Sequence, residues 1–463
     1  MKYIAVIGTD PEQHRTSHIF KYFDDYLISM GDPTTSKGWT IRNVENHARH
    51  IIKKGKKFKE NLYIDSGGFQ IIVGYITQDR IQEYIDVFHH IVEKYCDDIH
   101  KIFSLDVNNQ NFSHKEILQF NQSSILQSIE LIKRKPIVAD KLLFVLQTRN
   151  TEVFTIWKNM IRAFEVYKYF KNWSFGGLVG LKKETNAKFS HVVPSTMWLL
   201  TYQKHFNFPI EQIHFLGQGS RLNFVMVGIL EKMFNLNITC DSSQLVRFAP
   251  VSQKMPFIYV GDYTREKIDK EEFDKIGREE FQMVVENESD ELMETMFHEE
   301  NYSKDIFYKA IEHLKYGDFS YLSNLTDIKG FEEFGPFMDM YKVDDFDGIK
   351  RRASFVTEPD EIHRKFKEEK KMSSTHLIEM MCMATRNDMY FGKYVANEIL
   401  KHDINTITLN DITNIHSILN RGQIAVEIFN NINFIRYMLP IMERADIDAA
   451  DNLMLNVVND YRK

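Results

Sequence analysis

Along the first 262 residues, short apolar runs ending in small or polar residues alternate with longer amphipathic segments. The runs are YIAVIG (3–8), YLIS (26–29), LYIDSG (62–67), IFSLD (102–106), LFVLQ (143–147), FGGLVG (175–180), IHFLG (213–217), ITCD (238–241) and FIYVG (257–261). Between them, stretches such as Ile81–Tyr95 and Leu222–Phe234 carry apolar residues three and four apart, the helical period. Continuously apolar strands alternating with helices predict a parallel sheet covered on both faces. Eight or nine such units over about 260 residues fit a (β/α)8 TIM barrel, an α/β fold, in count and length. A doubly wound open sheet is the alternative, and periodicity does not separate the two.

Past residue 262 the pattern changes. Residues 264–300 are dense in Glu, Asp and Lys and read as a solvated helical face. The segments from there to Lys463 read as helical, with a polar connection near 367–375 (KEEKKMSST). The expected organisation is a barrel catalytic domain over 1–262, an acidic helical region over 263–370 and a helical C-terminal region over 371–463. No internal repeat or low-complexity tract is present.

Composition narrows the picture a little. With 43% hydrophobic and 13% aromatic residues the chain is globular in type. A net charge of −7 does not advertise a nucleic-acid binder, yet a local basic groove can sit on an acidic protein. The basic run RHIIKKGKKFK (49–59) precedes a strand, on the face where strands begin. Active sites of parallel barrels lie where strands end, so this run reads as solvated surface. No stretch of 18 apolar residues and no signal-peptide pattern is found, so a cytoplasmic protein is expected, in the host cytoplasm if the chain is viral. Cys96, Cys240 and Cys382 are too far apart for a Cys-x-x-Cys pair and are expected to stay thiols.

The chemistry sits at the strand ends. Asp65-Ser66-Gly67-Gly68 matches the tetrapeptide around the serine of trypsin-like proteases, but the flanking Gly and Pro of that pattern are Ile64 and Phe69 here. Asp65 to Gln70 follow one run, Asp106 the next and Gln147 the next; Gly176-Gly177 and Gly217-Gln218-Gly219 follow two more, and Asp241 closes the series. Any one of these could cap a helix; the whole series points to a site. The set suits a guanine-like base. A carboxylate such as Asp106 can accept from N1–H and the exocyclic amine. Gln147 and the backbone N–H groups at Gly176-Gly177 can bond the acceptor edge, and Phe69 can stack. Two further carboxylates, Asp65 and Asp241, suit cleavage of an N-glycosidic bond, one attacking the anomeric carbon and the other moving a proton.

DSGGFQ (65–70), GGLVG (176–180), LGQG (216–219) and the Asp after the following strand stand in the order they have in the tRNA-guanine transglycosylases, and the chain resembles that family over roughly residues 60–250. These are TIM-barrel enzymes that exchange guanine for a 7-deazaguanine without breaking the phosphodiester backbone. Residues 414–439 (NIHSILNRGQIAVEIFNNINFIRYML) are similar to the family's last helical segment. The resemblance implies Asp241 as the nucleophile of a covalent enzyme–nucleic acid intermediate and Asp65 as general acid/base. It implies Ser66, Gly67, Gln70, Asp106, Gln147, Gly176, Gly177 and Leu178 as contacts to the base, with Phe69 its stacking platform. No cofactor is implied.

The departures carry information too. The tRNA enzymes hold a structural zinc through a Cys-x-Cys-x-x-Cys cluster and a His. Scattered cysteines cannot build it, and His416 has no thiolate partners in sequence, so no metal is expected. Enzymes that take an aminomethyl base carry a Glu shortly after the glycine motif; Leu181, Lys182 and Lys183 stand here, which favours a neutral substituent such as the nitrile of 7-cyano-7-deazaguanine. This trimmed pattern resembles the phage and bacterial DNA 7-deazaguanine transglycosylases, which help viral genomes evade restriction. DNA is therefore the expected partner, with tRNA as the alternative polymer and a plain N-glycoside hydrolase as the alternative activity. Arg149, Lys182, Lys183 and Arg247 follow strand ends and are candidate phosphate contacts; each reads equally as surface charge.

Overall fold

The computed structural model describes residues 2–7, 19, 23–30, 41–58, 61–68, 71, 76–107, 111–148, 150–177, 190–242, 385, 389, 392–415 and 422–460. Eight strands run in chain order: β1 Lys2–Val6, β2 Asp25–Ser29, β3 Asn61–Asp65, β4 Lys101–Phe103, β5 Leu142–Gln147, β6 Asn172–Gly176, β7 Gln212–Phe215 and β8 Ile238–Ser242. Each pairs in parallel with the next, and β8 returns to β1 with Ile4 in register with Asp241. The sheet closes into a (β/α)8 barrel, which excludes the open doubly wound alternative. Closure is complete at Ser242; the run FIYVG (257–261) lies outside the described residues.

Two strands, β4 and β6, depart furthest from the apolar runs, each for a local reason. β4 ends at Phe103, three residues short of Asp106. There the Ser104 Oγ accepts from Val145 N at 2.8 Å, so a side chain takes over from the backbone ladder. β6 begins at Asn172 and ends at Gly176 because NWSFG alternates, with Trp173 and Phe175 in the helix-side core.

That alternation organises the whole barrel, since successive side chains of a strand point to opposite faces. Ile4, Leu27, Tyr63, Phe103, Leu143 and Val145 form the interior cluster. Ile28, Ile64, Ile102, Phe144, Trp173, Ile213, Phe215 and Cys240 belong to the larger core under the helices.

The helices are placed by their own ends and faces. They are α1 Ile41–Phe58, α2 Ile81–Tyr95, α3 His114–Arg134, α4 Ile137–Lys141, α5 Thr151–Ala163, α6 Val192–Phe206 and α7 Arg221–Phe234, with α8 Leu409–Thr413, α9 Gly422–Glu443 and α10 Ile447–Asp460 near the C-terminus. A capping box between Ser113 and Glu116 starts α3, and Lys133 and Arg134 in its last turn oppose the negative end of its dipole. Asn150 and Ser220 cap α5 and α7 by accepting from Val153 N and Asn223 N. The basic run 49–59 falls largely in α1, ahead of β3, as its position in the chain implied.

Helix α6 is buried without a break from Val192 to Tyr202. A helix buried all round must be covered on its outer side as well as by the barrel. Here α9 and α10 supply the cover, with Ile428, Ile432, Ile435, Met438 and Met454 joining the continuous core. Asp451 of α10, 3% exposed, fixes the junction. Trp198 Nε1 and Tyr202 OH donate to its Oδ1 at 2.8 and 2.9 Å. Arg162 donates to Oδ2, and the Lys158 ammonium lies 3.3 Å from it.

Candidate active site

Every described candidate lies where the strands end. Asp65 closes β3, Gln147 closes β5 and Gly176 closes β6; Asp106 lies just beyond β4, and Asp241 is the fourth residue of β8. Ser66 and Gly67 follow Asp65, and Gly177 follows Gly176. For Asp106 and Gln147 the capping alternative fails, because the helices that follow them are capped by Ser113 and Asn150. The mouth of a parallel barrel is where such side chains converge on a ligand.

Asp106 and Gln147 form one half of the site. Gln147 Nε2 donates to Asp106 Oδ2. The loop that carries Asp106 is pinned by α3: Val107 N donates to Asn121 Oδ1 and Asn121 Nδ2 donates back to Val107 O, both at 2.7 Å, while Ser124 Oγ donates to Leu105 O at 2.8 Å. Two glycines make room. A Cβ on Gly68 would stand 2.7 Å from Asp106 Oδ1, and one on Gly176 would stand 2.7 Å from Gln147 Nε2. Burial pushes the Asp106 carboxyl up to about 7; the bond from Gln147 pulls the other way, and the charge of Asp65 adds to the rise.

Two buried atoms here, Gln147 Oε1 and Ser66 Oγ, have no hydrogen-bond partner among the described residues. Buried polar atoms are paired in the great majority of cases, so these two are candidate contacts for a ligand's polar groups. The Ser66 backbone is itself fixed, its carbonyl accepting from Tyr84 OH at 2.7 Å. Among the described residues no imidazole hydrogen-bonds Ser66 Oγ, so the serine-protease reading finds no support in this geometry.

Asp65 and Asp241 form the other half. Burial pushes the Asp65 carboxyl up to about 6; Ser29 Oγ, donating at 2.9 Å, and the backbone N–H groups of Gly67 and Ser66 restrain the rise, and the charge of Asp241 adds to it. Asp241 Oδ1 accepts two bonds, from Gly217 N at 2.7 Å and from His214 Nε2 at 3.0 Å. Gly217 aims its N–H this way from a φ of 74°, a conformation that favours glycine. The His214 ring is fully buried, lies edge-on to Phe103 with ring centroids 4.8 Å apart, and meets Thr239 Oγ1 at 2.8 Å through Nδ1.

His214, Thr239 and Ser29 are site residues that the motif reading passed over. Their signal is the two-residue period. In QIHF the polar Gln212 and His214 share the face opposite Ile213 and Phe215, and in ITCD Thr239 and Asp241 share a face.

Phe69, Gln70, Leu178, Arg149, Lys182, Lys183 and Arg247 lie outside the described residues, as do Cys382 and His416. Among the described residues no three His, Cys, Asp or Glu side chains come together as a metal site, and Cys96 and Cys240 are buried free thiols. None of the described helices is long and apolar enough to cross a membrane. No protein-family model and no curated protein matches the chain, so a functional reading rests on the site itself and on the motifs that build it.

Proposed function

We propose that this protein is a transglycosylase that exchanges guanine in a nucleic acid, DNA in preference to tRNA, for a 7-deazaguanine base. The observation that carries the reading is a pair of carboxylates, Asp65 and Asp241, beside a buried Asp106–Gln147 pair and two unpartnered polar atoms. The unpartnered Gln147 Oε1 and Ser66 Oγ, with the Asp106 carboxyl, offer the mixture of donors and acceptors that a purine edge requires.

In this scheme Asp241 attacks C1′ of the nucleotide through its carboxylate. The C1′–N9 bond breaks, its electron pair goes to the guanine, and Asp65 supplies the proton the departing base takes up. The incoming base then loses its N9 proton to Asp65 and bonds C1′, and Asp241 leaves as a carboxylate. An acid raised to about 6 is suited to both directions, since it gives and regains a proton near neutral pH. A guanine in a duplex has to be flipped into such a site, at a cost of a few kcal/mol. The absent cysteine cluster and the Leu181-Lys182-Lys183 sequence after the glycine motif favour DNA and a base with a neutral 7-substituent such as 7-cyano-7-deazaguanine.

The test is a denaturing gel of enzyme with guanine-containing DNA and with unmodified tRNA. Wild type is expected to form a denaturation-resistant adduct with DNA and to release it on addition of free 7-deazaguanine; Asp241→Asn is expected to form none. An adduct with tRNA alone would move the protein to the tRNA-modifying enzymes. Release of guanine with no uptake of an incoming base would make it a hydrolase.

A further inference from the structure

We infer that His214 is a positioning residue for Asp241, held in its Nε2-protonated tautomer by a chain of donors that starts at Gln212. This inference rests on the base-exchange reading. A carboxylate oxygen only accepts, so the 3.0 Å contact to Asp241 Oδ1 requires the proton on His214 Nε2. The other ring nitrogen meets Thr239 Oγ1 at 2.8 Å. That hydroxyl already accepts from Gln212 Nε2 at 2.9 Å, and an amide nitrogen only donates. Its own hydrogen is therefore available to Nδ1. The alternative acceptor, Ile213 O, is farther away at 3.5 Å. The direction of every bond is then set: Gln212 to Thr239, Thr239 to His214, His214 to Asp241.

The strands build this chain without a loop. Gln212 and His214 are two apart on β7, Thr239 and Asp241 two apart on β8, and His214 is in register with Thr239. All of them face the barrel interior, and Gln212, His214, Thr239 and Asp241 are each no more than 5% exposed.

The consequence falls on the two oxygens of Asp241. Oδ1 is occupied by His214 and by Gly217 N. Oδ2 has no hydrogen-bond partner among the described residues and is the oxygen presented to C1′. Once it has attacked, Oδ1 is the carbonyl oxygen of a glycosyl ester, still held by two N–H groups. When the incoming base displaces Asp241, negative charge returns to Oδ1, where those preorganised donors stabilise it. No proton passes to or from His214 in either step.

Two measurements test this. The first is 15N NMR of histidine-labelled protein, with the His214 resonances identified by their loss in His214→Gln. A protonated Nε2 and an unprotonated Nδ1 are expected; a protonated Nδ1, with or without Nε2, overturns the assignment. The second is exchange kinetics on DNA with labelled guanine. His214→Ala is expected to lower kcat about 10–100-fold, the range for residues that orient a reacting group, with the KM for DNA unchanged. His214→Gln, which keeps an N–H donor, is expected to recover part of the loss, which a merely structural role does not predict. Equal kcat in wild type and both variants overturns the inference alone. A wild type that forms no adduct and exchanges no base overturns the base-exchange reading beneath it, and the inference falls with it. Where His214→Ala does not fold, the Gln variant and the NMR decide.

Discussion

Asp106 holds its carboxyl where the protonated form is favoured, and that has a consequence for stability. An unfolded Asp titrates near 3.9, about three units below the folded value of about 7. Between those values the folded state binds more protons than the unfolded one, so this group's contribution makes the fold less stable as pH rises from about 4 to about 7. Above pH 7 the loss is complete. Asp106→Asn removes it, and Gln147 can turn its unpartnered Oε1 toward the new amide. The variant is expected to be more stable than wild type at pH 8 by an amount on the order of a few kcal/mol. The gap should close toward pH 4, and urea unfolding at pH 4, 6 and 8 measures it. A gap independent of pH would mean that Asp106 titrates normally. Gly68→Ala acts on the same carboxyl by sterics. Its Cβ would meet Asp106 Oδ1 at 2.7 Å and Asp106 O at 3.0 Å, so the loop has to shift. A loss of about 1–3 kcal/mol of stability is expected, with the KM for the free base raised more than the KM for nucleic acid. Asp65, Asp106, Gln147 and Asp241 were legible because polar residues closing apolar runs stand out one at a time. His214 was not, because an aromatic residue inside an apolar run reads as core until the register of its neighbour is known.

Among the elements, β7 and β8 show how period-two patterning carries chemistry as well as packing. Their outward residues, Ile213, Phe215, Ile238 and Cys240, join the helix-side core, while the inward ones build the donor chain. Helices Ile81–Tyr95 and Arg221–Phe234 could be read almost to the residue from their apolar spacing. The start of β6 was hidden because Asn172 and Ser174 alternate with Trp173 and Phe175, so no continuous apolar run marks the strand ahead of Gly176. The Asp451 junction was invisible for a different reason: it links α10 to Trp198 and Tyr202, 253 and 249 residues away in the chain. Its partners make it costly to remove. Asp451→Ala leaves the indole N–H of Trp198 and the hydroxyl of Tyr202 without this acceptor, leaves Lys158 without this counter-charge, and leaves Arg162 paired with the exposed Asp448 alone among the described residues. A loss of about 3–5 kcal/mol is expected, the range for breaking a buried pair. Thermal unfolding of the purified variant checks this; an unchanged melting temperature would show that α10 contributes little to the stability of the barrel.

At the scale of the molecule, a closed parallel barrel gathers residues from distant parts of the chain at one mouth, and that is why polar residues closing successive apolar runs already outline one site in the sequence. Closure itself was not legible, since an open sheet has the same alternation of strands and helices. If nucleic acid is the substrate, as proposed, a protein with a net charge of −7 must hold the phosphates through a local set of cations. Binding to DNA is therefore expected to weaken steeply with salt, with a slope of about −0.9 per phosphate contact on a log–log plot. A salt-independent affinity would speak against a nucleic-acid substrate. Base exchange itself is tested most directly by incubating wild type and Asp241→Asn with radiolabelled guanine and equal amounts of duplex DNA and unmodified tRNA, then counting label in each polymer. The account predicts label in the DNA with wild type and none with Asp241→Asn. Label in neither polymer, or equal label with both proteins, would contradict it.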